Sequence, residues 1–436
     1  MKKIRNSTLN EEIFYEELEN GIKVFFFPKE GFTKKYAIFT TNYGSLHSAF
    51  KTKEGGDIHN LPKGIAHFLE HKLFEEEDGD VFSKFAQNGA FVNAYTNFNQ
   101  TSYLFYSTDN FYDNLKLLIE FVQNPYLTDE NVFKEKGIIS QEIEMYLDNP
   151  KWRVFFNCLR GLYHNHPVRD DIAGTVESIL SINKEDLMTA YNAFYHPSNM
   201  VLFVVGELDK DELLKTINEA GRKYEPVEYK PIRIFEFEPK EVKEKLVEDY
   251  MATSKPLFYI GIKDNELGLF GREAIKKDVA TNIILDMLFS DSSDFYHQLY
   301  NEGLIDKSFG AYYTGKDNYG HSFIVGQTND PKLIYDKIMD VFTENKMYIN
   351  EENFQRIKKK EIGHFLMGFN SIEFIANNLT DLYFQDFLLI DYLDVLNDIE
   401  FKDIQERLKE HLNKEYTTLS IVWPNKNNDI KEEGDK

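Results

Sequence analysis

The segment HFLEHKLF, residues 67–74, has a counterpart in the second half of the chain, NIILDMLF, residues 282–289. Further along, DVFSKFAQNG from Asp80 resembles DFYHQLYNEG from Asp294, and DENVFKEK resembles EENFQRIK. Asp80 and Asp294 are 214 positions apart, about half of the 436 residues. Three related blocks in the same order and at a similar spacing indicate an internal duplication, which predicts two homologous domains.

Both halves follow the same coarse pattern of strands and helices. The apolar segments GIKVFFF and KYAIFTT in the first half and PLFYIGI in the second predict strands. A helix, another pair of strands and one or two long helices follow in each half. NMVLFVVGEL and TTLSIVWP then predict a closing strand for each. We therefore expect an α+β fold of two homologous domains, each a mostly antiparallel sheet with helices packed on one face.

The segment YEPVEYKPIRIFEFEPKEV separates the two halves. It holds three prolines among alternating residues and has no helical period, so we expect a linker at about residues 226–243. The boundary is expected near Tyr229, which gives domains of residues 1–228 and 229–436. The polar residues from about 425 to 436 predict a disordered tail.

The net charge indicates which classes of partner are excluded, and the cysteine content indicates the redox compartment. Asp and Glu outnumber Lys and Arg by 73 to 50, a formal charge of −23, which repels phosphate backbones and anionic membranes. We therefore expect no nucleic acid or membrane partner. Cys158 is the single cysteine, which excludes an intrachain disulfide and fits a reducing compartment. No segment approaches 18 uninterrupted apolar residues, and a cytoplasmic location is expected.

The segment IAHFLEHKLFE, which begins at residue 65, predicts a helix with two unlike sides. At 100° per residue one side is apolar, and the other carries His67, Glu70, His71 and Phe74. A lone histidine is more often a structural or surface residue than a metal ligand. Here, however, the spacing of four residues lets both imidazoles reach one tetrahedral ion, while Glu70 reaches a water beside it. The order HxxEH is the inverzincin signature of zinc peptidases.

A third ligand is expected from the later helix TDENVFKEKGIISQEIEMYLDNP, because a catalytic zinc takes three protein ligands. Glu135 and Glu142 are two turns apart and share one stripe of this helix. Glu144 points roughly 200° away from Glu142 around the axis and is the weaker candidate.

These residues resemble the pitrilysin, insulinase and mitochondrial processing peptidase family of zinc peptidases. In that family, HxxEH is followed some seventy residues later by a glutamate ligand, with a second glutamate seven residues before it. Here 71 positions separate His71 from Glu142. The similarity continues through NAYTNFNQTSY, HNHPVRDDIAGT and YHPSNMVLFVVGEL, and so covers the first half. More narrowly, the chain is similar to the short cytoplasmic members of Gram-positive bacteria.

The resemblance implies a zinc endopeptidase that hydrolyses peptides or small unfolded polypeptides inside a clamshell chamber. His67, His71 and Glu142 would bind Zn²⁺. Glu70 would take a proton from the attacking water and pass it to the leaving amine. Glu135 would be a second carboxylate of the catalytic site that orients it.

The resemblance also places a substrate peptide along one strand edge. Asn93 and Ala94 match the family's edge, where added-strand pairing recognises the peptide backbone. Independently of the family, the alternation in AYTNFNQTSYLFY reads as a strand.

The second half departs from the family in a segment that usually reads RExGGLAY, whose Arg and Tyr help to hold the substrate carbonyl. Here the segment is NEGLIDKSFGAYY, with no Arg at the first position and Asp306 near the place of Tyr. Tyr312 and Tyr313 follow out of register. We therefore expect the zinc-bearing subunit of a heterodimer, in which a homologous partner without HxxEH supplies the Arg/Tyr pair.

The positions that correspond to the metal-site residues in the second half are Asn282, Leu285 and Asp286, so no second zinc site is expected there. Two alternatives stay open: a catalytically silent subunit with the same fold, and a peptide-binding or maturation subunit dedicated to one precursor. The histidines of HNH, residues 164–166, are interpreted as structural.

Overall fold

The computed structural model describes residues 1–77, 79–221, 231–345 and 347–425. The first half contains the strands β1 (Lys2–Asn6), β2 (Glu11–Glu17), β3 (Lys23–Pro28), β4 (Lys35–Thr41), β5 (Ala49–Lys51), β6 (His59–Asn60), β7 (Glu75–Glu76), β8 (Gly79–Asp80), β9 (Phe91–Thr96), β10 (Thr101–Ser107) and β11 (Met200–Gly206). Its helices are α1 (Ile65–Leu73), α2 (Val81–Gln87), α3 (Phe111–Gln123), α4 (Asp129–Leu147), α5 (Pro150–Leu162), α6 (Val176–Ser181), α7 (Lys184–Phe194) and α8 (Lys210–Ala220).

The second half contains the strands β12 (Ile232–Arg233), β13 (Leu246–Met251), β14 (Leu257–Lys263), β15 (Gly310–Gly315), β16 (Gly320–Gln327) and β17 (Thr417–Pro424). Its helices are α9 (Gly271–Phe289), α10 (Asp294–Asn301), α11 (Pro331–Thr343), α12 (Glu351–Gly368), α13 (Ile372–Tyr383), α14 (Tyr392–Asp398) and α15 (Phe401–His411). Across the described ranges, no helix has both the length and the apolar character needed to cross a membrane.

The two main sheets share a five-strand topology, and β1 and β2 extend the first sheet by two strands. In the first, the strand order is β1-β2-β3-β11-β4-β10-β9, and in the second it is β13-β17-β14-β16-β15. Strand β11 lies parallel to β3 and antiparallel to β4, and β17 lies parallel to β13 and antiparallel to β14. The remaining strands are antiparallel in both sheets. The predicted α+β fold with a duplicated, mostly antiparallel sheet is confirmed.

Each sheet also receives a helix from the other half. Helices of the first half cover one face of the first sheet, as predicted, and α13 of the second half packs on the opposite face against β4 and β11. The ring of Tyr383 on α13 lies 5.3 Å from that of Phe25 and 5.8 Å from that of Phe203. Conversely, α5 of the first half packs on β14 and β17. Because both faces are covered, the central strands are apolar on both sides rather than alternating.

One predicted strand is wrong in detail. AYTNFNQTSYLFY forms two antiparallel strands, β9 and β10, and not a single strand. The chain reverses at Asn97, whose Oδ1 accepts hydrogen bonds from the backbone N–H groups of Asn99 and Gln100, each at 2.8 Å. Asparagine favours such turns because its side chain can replace a backbone acceptor.

The expected boundary at Tyr229 lies outside the described residues, as does the tail from residue 426. The described part of the expected linker contacts the first half. Strand β12 pairs with β5, and the carboxylate of Glu238 accepts hydrogen bonds from the backbone N–H groups of residues 164–166 at 2.7–2.9 Å.

Candidate metal centre

Helix α1 starts at a glycine that no other residue can replace without strain. Gly64 has φ of 85°, in the left-handed region, and a Cβ there would collide with the carbonyl of Ala173. From this start, Phe68, Leu69 and Leu73 are buried in the core of the first half. His67 and His71 consequently face away from that core. Phe74, expected on the histidine side, instead ends the helix as its C-cap and stacks on Phe82, with ring centroids 4.4 Å apart.

Helix α4 brings the carboxylates to α1. Thr128 and Asn131 form a capping box, with Asn131 N–H donating to Thr128 Oγ1 at 3.1 Å, so the first turn of the helix is fixed. The buried stripe of Val132, Ile139 and Ile143 packs into the core. Glu135 and Glu142 lie beside this stripe.

The geometry brings His67, His71 and Glu142 together. Glu142 Oε1 lies 3.8 Å from His67 Nε2, and Glu142 Oε2 lies 3.5 Å from His71 Nε2. One ligand atom from each residue can be chosen so that all three are within 4.8 Å of one another, and no other such group is found in the described ranges. Ligands of tetrahedral zinc are about 3.3 Å apart, so a small contraction would suit the ion. Glu144 is exposed on another side of α4.

Burial and nearby charges set the pKa values of the two histidines. Burial, together with the charge of His71, lowers the pKa of His67 to about 3, which keeps this imidazole neutral. A neutral imidazole is the form that binds a metal ion. Burial also opposes charge on His71, but the hydrogen bond to Glu135 and the nearby carboxylates outweigh it and raise the pKa of His71.

Glu135 holds His71 rather than facing the ligand atoms. Its Oε1 lies 3.1 Å from His71 Nδ1, and its Oε2 lies 3.5 Å from the ammonium of Lys72. Burial opposes the charge of Glu135, but His71 and Lys72 prevail and lower the pKa of this carboxyl. This arrangement is the carboxylate–histidine pair that orients ligands in metal sites.

Glu70 lies on α1 between the two histidines and is anchored from β9. Thr96 Oγ1 donates to Glu70 Oε2 at 2.7 Å, and Thr101 Oγ1 lies 3.3 Å from Thr96 Oγ1. Burial raises the pKa of Glu70, although the Thr96 hydrogen bond opposes the rise. A carboxyl group with a raised pKa is better suited to accept and then return a proton at neutral pH.

Asn93 and Ala94 lie on β9, at the edge of the first sheet. They are opposite Leu104 and Tyr103 of β10, and in the described part of the chain β9 pairs with β10 alone. The Asn93 side chain is exposed. Since α1 packs against β9, this free edge runs beside the helix that carries the histidines.

The corresponding positions of the second half have other contacts. Asn282 Oδ1 accepts a hydrogen bond from the backbone of Tyr313 at 3.1 Å, Leu285 is buried, and Asp286 Oδ2 accepts one from Lys360 Nζ at 2.6 Å. These contacts tie helices and a strand together without the ligand atoms of the first half.

The histidines of HNH are placed as structural residues. His166 Nδ1 accepts the backbone N–H of Val168 at 3.2 Å, and its ring stacks on Phe235 at a centroid distance of 5.2 Å. They belong to no candidate metal group among the described residues.

Two residues of this centre were missed by the sequence analysis, Thr96 and Lys72. Thr96 reaches Glu70 across a helix–strand contact that sequence spacing does not predict. Lys72 lies within HFLEHKLF, on a helix with a buried face. A lysine is rarely buried without a charged partner, so its position could have indicated a partner carboxylate.

Comparisons with known proteins place this geometry in a family. Residues 55–176 match the insulinase family (peptidase family M16), and residues 181–361 match the M16 peptidase inactive domain. The chain is 41% identical over 427 residues to the uncharacterized zinc protease YmfH of Bacillus subtilis, covering 97% of this chain and 99% of that protein.

Solved structures agree with the sequence match. A crystal structure described as an M16-like peptidase, from Alicyclobacillus acidocaldarius, is 38% identical with a TM-score of 0.90 and covers 95% of this chain and 99% of the other. The periplasmic protease PqqL of Escherichia coli, 16% identical with a TM-score of 0.69, shares the fold, and the match covers 96% of this chain but 48% of PqqL. The resemblance inferred from the sequence is thereby confirmed: the chain belongs to the insulinase family of M16 peptidases.

Proposed function

We propose that the chain is a zinc-dependent endopeptidase for peptides or small unfolded polypeptides, and that it is the metal-bearing subunit of a heterodimer. The observation that carries the proposal is the convergence of His67 and His71 of α1 with Glu142 of α4, where Glu70 lies on α1 between the two histidines. Relatives named zinc proteases support it.

The donor set fits Zn²⁺, because two imidazole nitrogens and one carboxylate oxygen leave a fourth position open. His67, His71 and Glu142 would hold the ion. When bound, it supplies a Lewis acid that polarises the scissile carbonyl and lowers the pKa of a coordinated water to about 7.

Glu70 is the proposed general base. Its carboxylate takes a proton from the attacking water, and the resulting carboxylic acid gives that proton to the leaving amine. Thr96 fixes one carboxylate oxygen at 2.7 Å, so the group is held in place before substrate arrives. The raised pKa of Glu70 brings its two protonation states closer in energy, which both transfers require.

The free edge of β9 is the proposed substrate-binding strand. A peptide that pairs with the backbone at Asn93 and Ala94 would lie extended beside α1. Pairing of this kind reads the peptide backbone and not its side chains, which suits cleavage of unfolded segments.

A heterodimer is proposed because the second half offers no exposed Arg/Tyr pair in the expected segment. Tyr313 is buried and its hydroxyl donates to Asp264 Oδ2 at 2.5 Å, so this side chain is committed to its own half. Asp306 Oδ1 accepts the backbone N–H of Ser308 at 2.9 Å and stabilises a turn. PqqL, which is about twice as long, would correspond to two such chains. Together they would enclose the clamshell chamber.

The test combines metal content with hydrolysis of an unstructured peptide whose cleavage releases a quenched fluorophore. Wild-type protein and Glu70→Gln should both contain about one zinc ion per chain. With the partner present, the wild-type protein should cleave the peptide and Glu70→Gln should not. Zinc-free wild-type protein would support the catalytically silent alternative. High activity of the isolated chain, monomeric by light scattering, would overturn the heterodimer while leaving the peptidase proposal intact.

A further inference from the structure

Lys72 is a buried lysine next to a candidate ligand. It follows His71 on α1, and its side chain is 0% exposed. An ammonium group removed from water costs several kcal/mol unless charged partners compensate. Lys72 Nζ lies 3.5 Å from Glu135 Oε2 and also contacts the carboxylate of Glu75. Glu75 is partly exposed, whereas Glu135 is buried beside the metal centre.

The carboxylate of Glu135 links Lys72 to the ring of His71. One oxygen lies 3.1 Å from His71 Nδ1 and the other faces Lys72. A carboxylate has two acceptor oxygens and can therefore contact the imidazole and the lysine at the same time. Because Glu135 contacts Nδ1, the other ring nitrogen, Nε2, is the one that lies near Glu142, 3.5 Å from its Oε2. Lys72 therefore acts on the ligand atom through Glu135.

The duplicated half supplies an internal comparison. In the paired segments HKLF and DMLF, Lys72 corresponds to Met287, and in DENVFKEK and EENFQRIK, Glu135 corresponds to Ile357. Thr128 and Asn350 cap the two long helices at the same relative position, which supports the second pairing. Met287 and Ile357 are both 0% exposed.

Both halves therefore bury these two positions, but the first half places charged side chains there and the second half places apolar ones. Replacing a buried ion pair by apolar groups is often neutral or stabilising. Packing alone thus gives no reason for the charged pair. It occurs in the half that has a histidine at position 71, and the apolar pair occurs in the half that has Asp286 instead.

We propose that Lys72 is a positioning residue of the zinc site, which holds the Glu135 carboxylate in place and thereby fixes the orientation of the His71 ring. This inference rests on the proposed zinc function and deepens it. Loss of a group that orients a metal ligand typically weakens metal binding on the order of 10–100-fold. We expect a loss of that size in Lys72→Met.

The experiment measures the Zn²⁺ dissociation constant of the full chain by competition with a chromophoric chelator, together with the thermal midpoint of each metal-free protein. Lys72→Met and Glu135→Gln should each bind zinc more weakly. The double variant Lys72→Met/Glu135→Gln should bind no more weakly than Glu135→Gln, because Lys72 acts only through Glu135.

Lys263→Met is the matched control. Lys263 is 3% exposed and its Nζ lies 2.5 Å from Glu238 Oε1, so it is also a buried lysine with a carboxylate partner, but in the second half. This variant should lose stability and keep the wild-type zinc affinity. If it lost zinc as strongly as Lys72→Met, general destabilisation would explain both results and the inference would be overturned.

A second comparison serves if Lys72→Met does not fold. Glu135→Ile and Lys72→Met/Glu135→Ile differ only at residue 72, and the double variant reproduces the apolar pair of the second half. Equal zinc affinities of these two proteins would support the inference, and a further loss in the double variant would overturn it.

Wild-type affinity in a folded Lys72→Met protein would also overturn the inference, while leaving the zinc site itself in place. A wild-type chain that binds zinc but cleaves no peptide, even with a homologous partner, would instead contradict the proposed function. The role of Lys72 would still be decided by the zinc affinities of the variants.

Discussion

The first half has the helix pair α1 and α4, and the second half has the corresponding pair α9 and α12 on the same kind of sheet. The two pairs differ in what their facing side chains bind. In the first pair, side chains converge on a position that a cation can take. In the second pair, a protein cation is already present: Lys360 Nζ lies 2.6 Å from Asp286 Oδ2. The comparison teaches that this fold forms in the second half without a metal at the helix crossing, so under the proposed function the candidate ligands of the first half serve chemistry and not folding.

The largest effect is expected from the ligand itself. His67→Ala removes one of the three candidate ligands, and we expect loss of zinc and of all measurable peptide hydrolysis. Asn282→Ala, the corresponding change in the second half, should leave zinc content at the wild-type value. Elemental analysis of both purified proteins measures the zinc content per chain. Full zinc content in His67→Ala would show that the site has been misplaced.

The next effect concerns the general base. Glu70→Gln keeps the size of the side chain and removes the proton acceptor, so kcat should fall on the order of 10²–10⁴-fold while zinc stays bound. Glu144→Gln changes an exposed carboxylate on α4 and should keep wild-type kcat. Steady-state kinetics with the partner present give both values. An active Glu70→Gln enzyme would contradict the assigned role.

A smaller effect is expected from Thr96→Val, which removes the hydrogen bond to Glu70 and keeps the shape of the side chain. One hydrogen bond to a charged group is worth about 1.5 kcal/mol, so kcat/KM should fall on the order of 10-fold. Zinc affinity should stay unchanged, because Thr96 contacts no ligand. If hydrolysis were as fast as in the wild type, Thr96 would have no part in holding Glu70.

The smallest effect lies in the second half and depends on pH. Burial and the charge of Asp286 raise the pKa of Glu361 to about 7, above its ordinary value in the unfolded chain. The folded state therefore binds the extra proton: this stability is fully present below about pH 4.5 and is lost as pH rises through about 7.

Glu361→Gln stays neutral at every pH and avoids that loss. Glu361 is partly exposed, so the free energy of unfolding of the variant at pH 8 should exceed that of the wild type by roughly 1 kcal/mol. This corresponds to a rise of about 2 °C in the thermal midpoint, with no difference at pH 4.5. Thermal unfolding of the metal-free proteins from pH 4.5 to 8 measures the difference. An equal gain at both pH values would contradict this explanation.

Local patterns predicted most of the elements. KYAIFTT and TTLSIVWP coincide with β4 and β17, and the helices around HxxEH and Glu142 are where the apolar periods indicated. The spacing of one turn pointed to His67 and His71, and the shared stripe of α4 left Glu135 and Glu142 as candidates, of which the family resemblance selected Glu142. Each of the two spacings holds within one helix, and sequence spacing predicts which residues of one helix share a face.

The remainder depends on contacts between distant segments. The turn at Asn97 was missed because alternation continues through it, although Asn is a turn residue. Thr96 and Glu70 meet only because β9 packs beside α1, and the placement of α5 and α13 on each other's sheets has no local signal. The domain boundary near Tyr229 and the cytoplasmic location stay predictions.

The reciprocal placement of α5 and α13 makes the halves interdependent in the manner of a domain-swapped dimer within one chain. A first half expressed alone would expose the apolar side chains of Phe25, Ile38 and Phe203, which α13 and its neighbours cover in the intact chain. Such a surface promotes aggregation or recruitment of another copy. Co-expressed fragments of residues 1–221 and 231–436 should therefore be soluble as a complex, and each fragment alone should not.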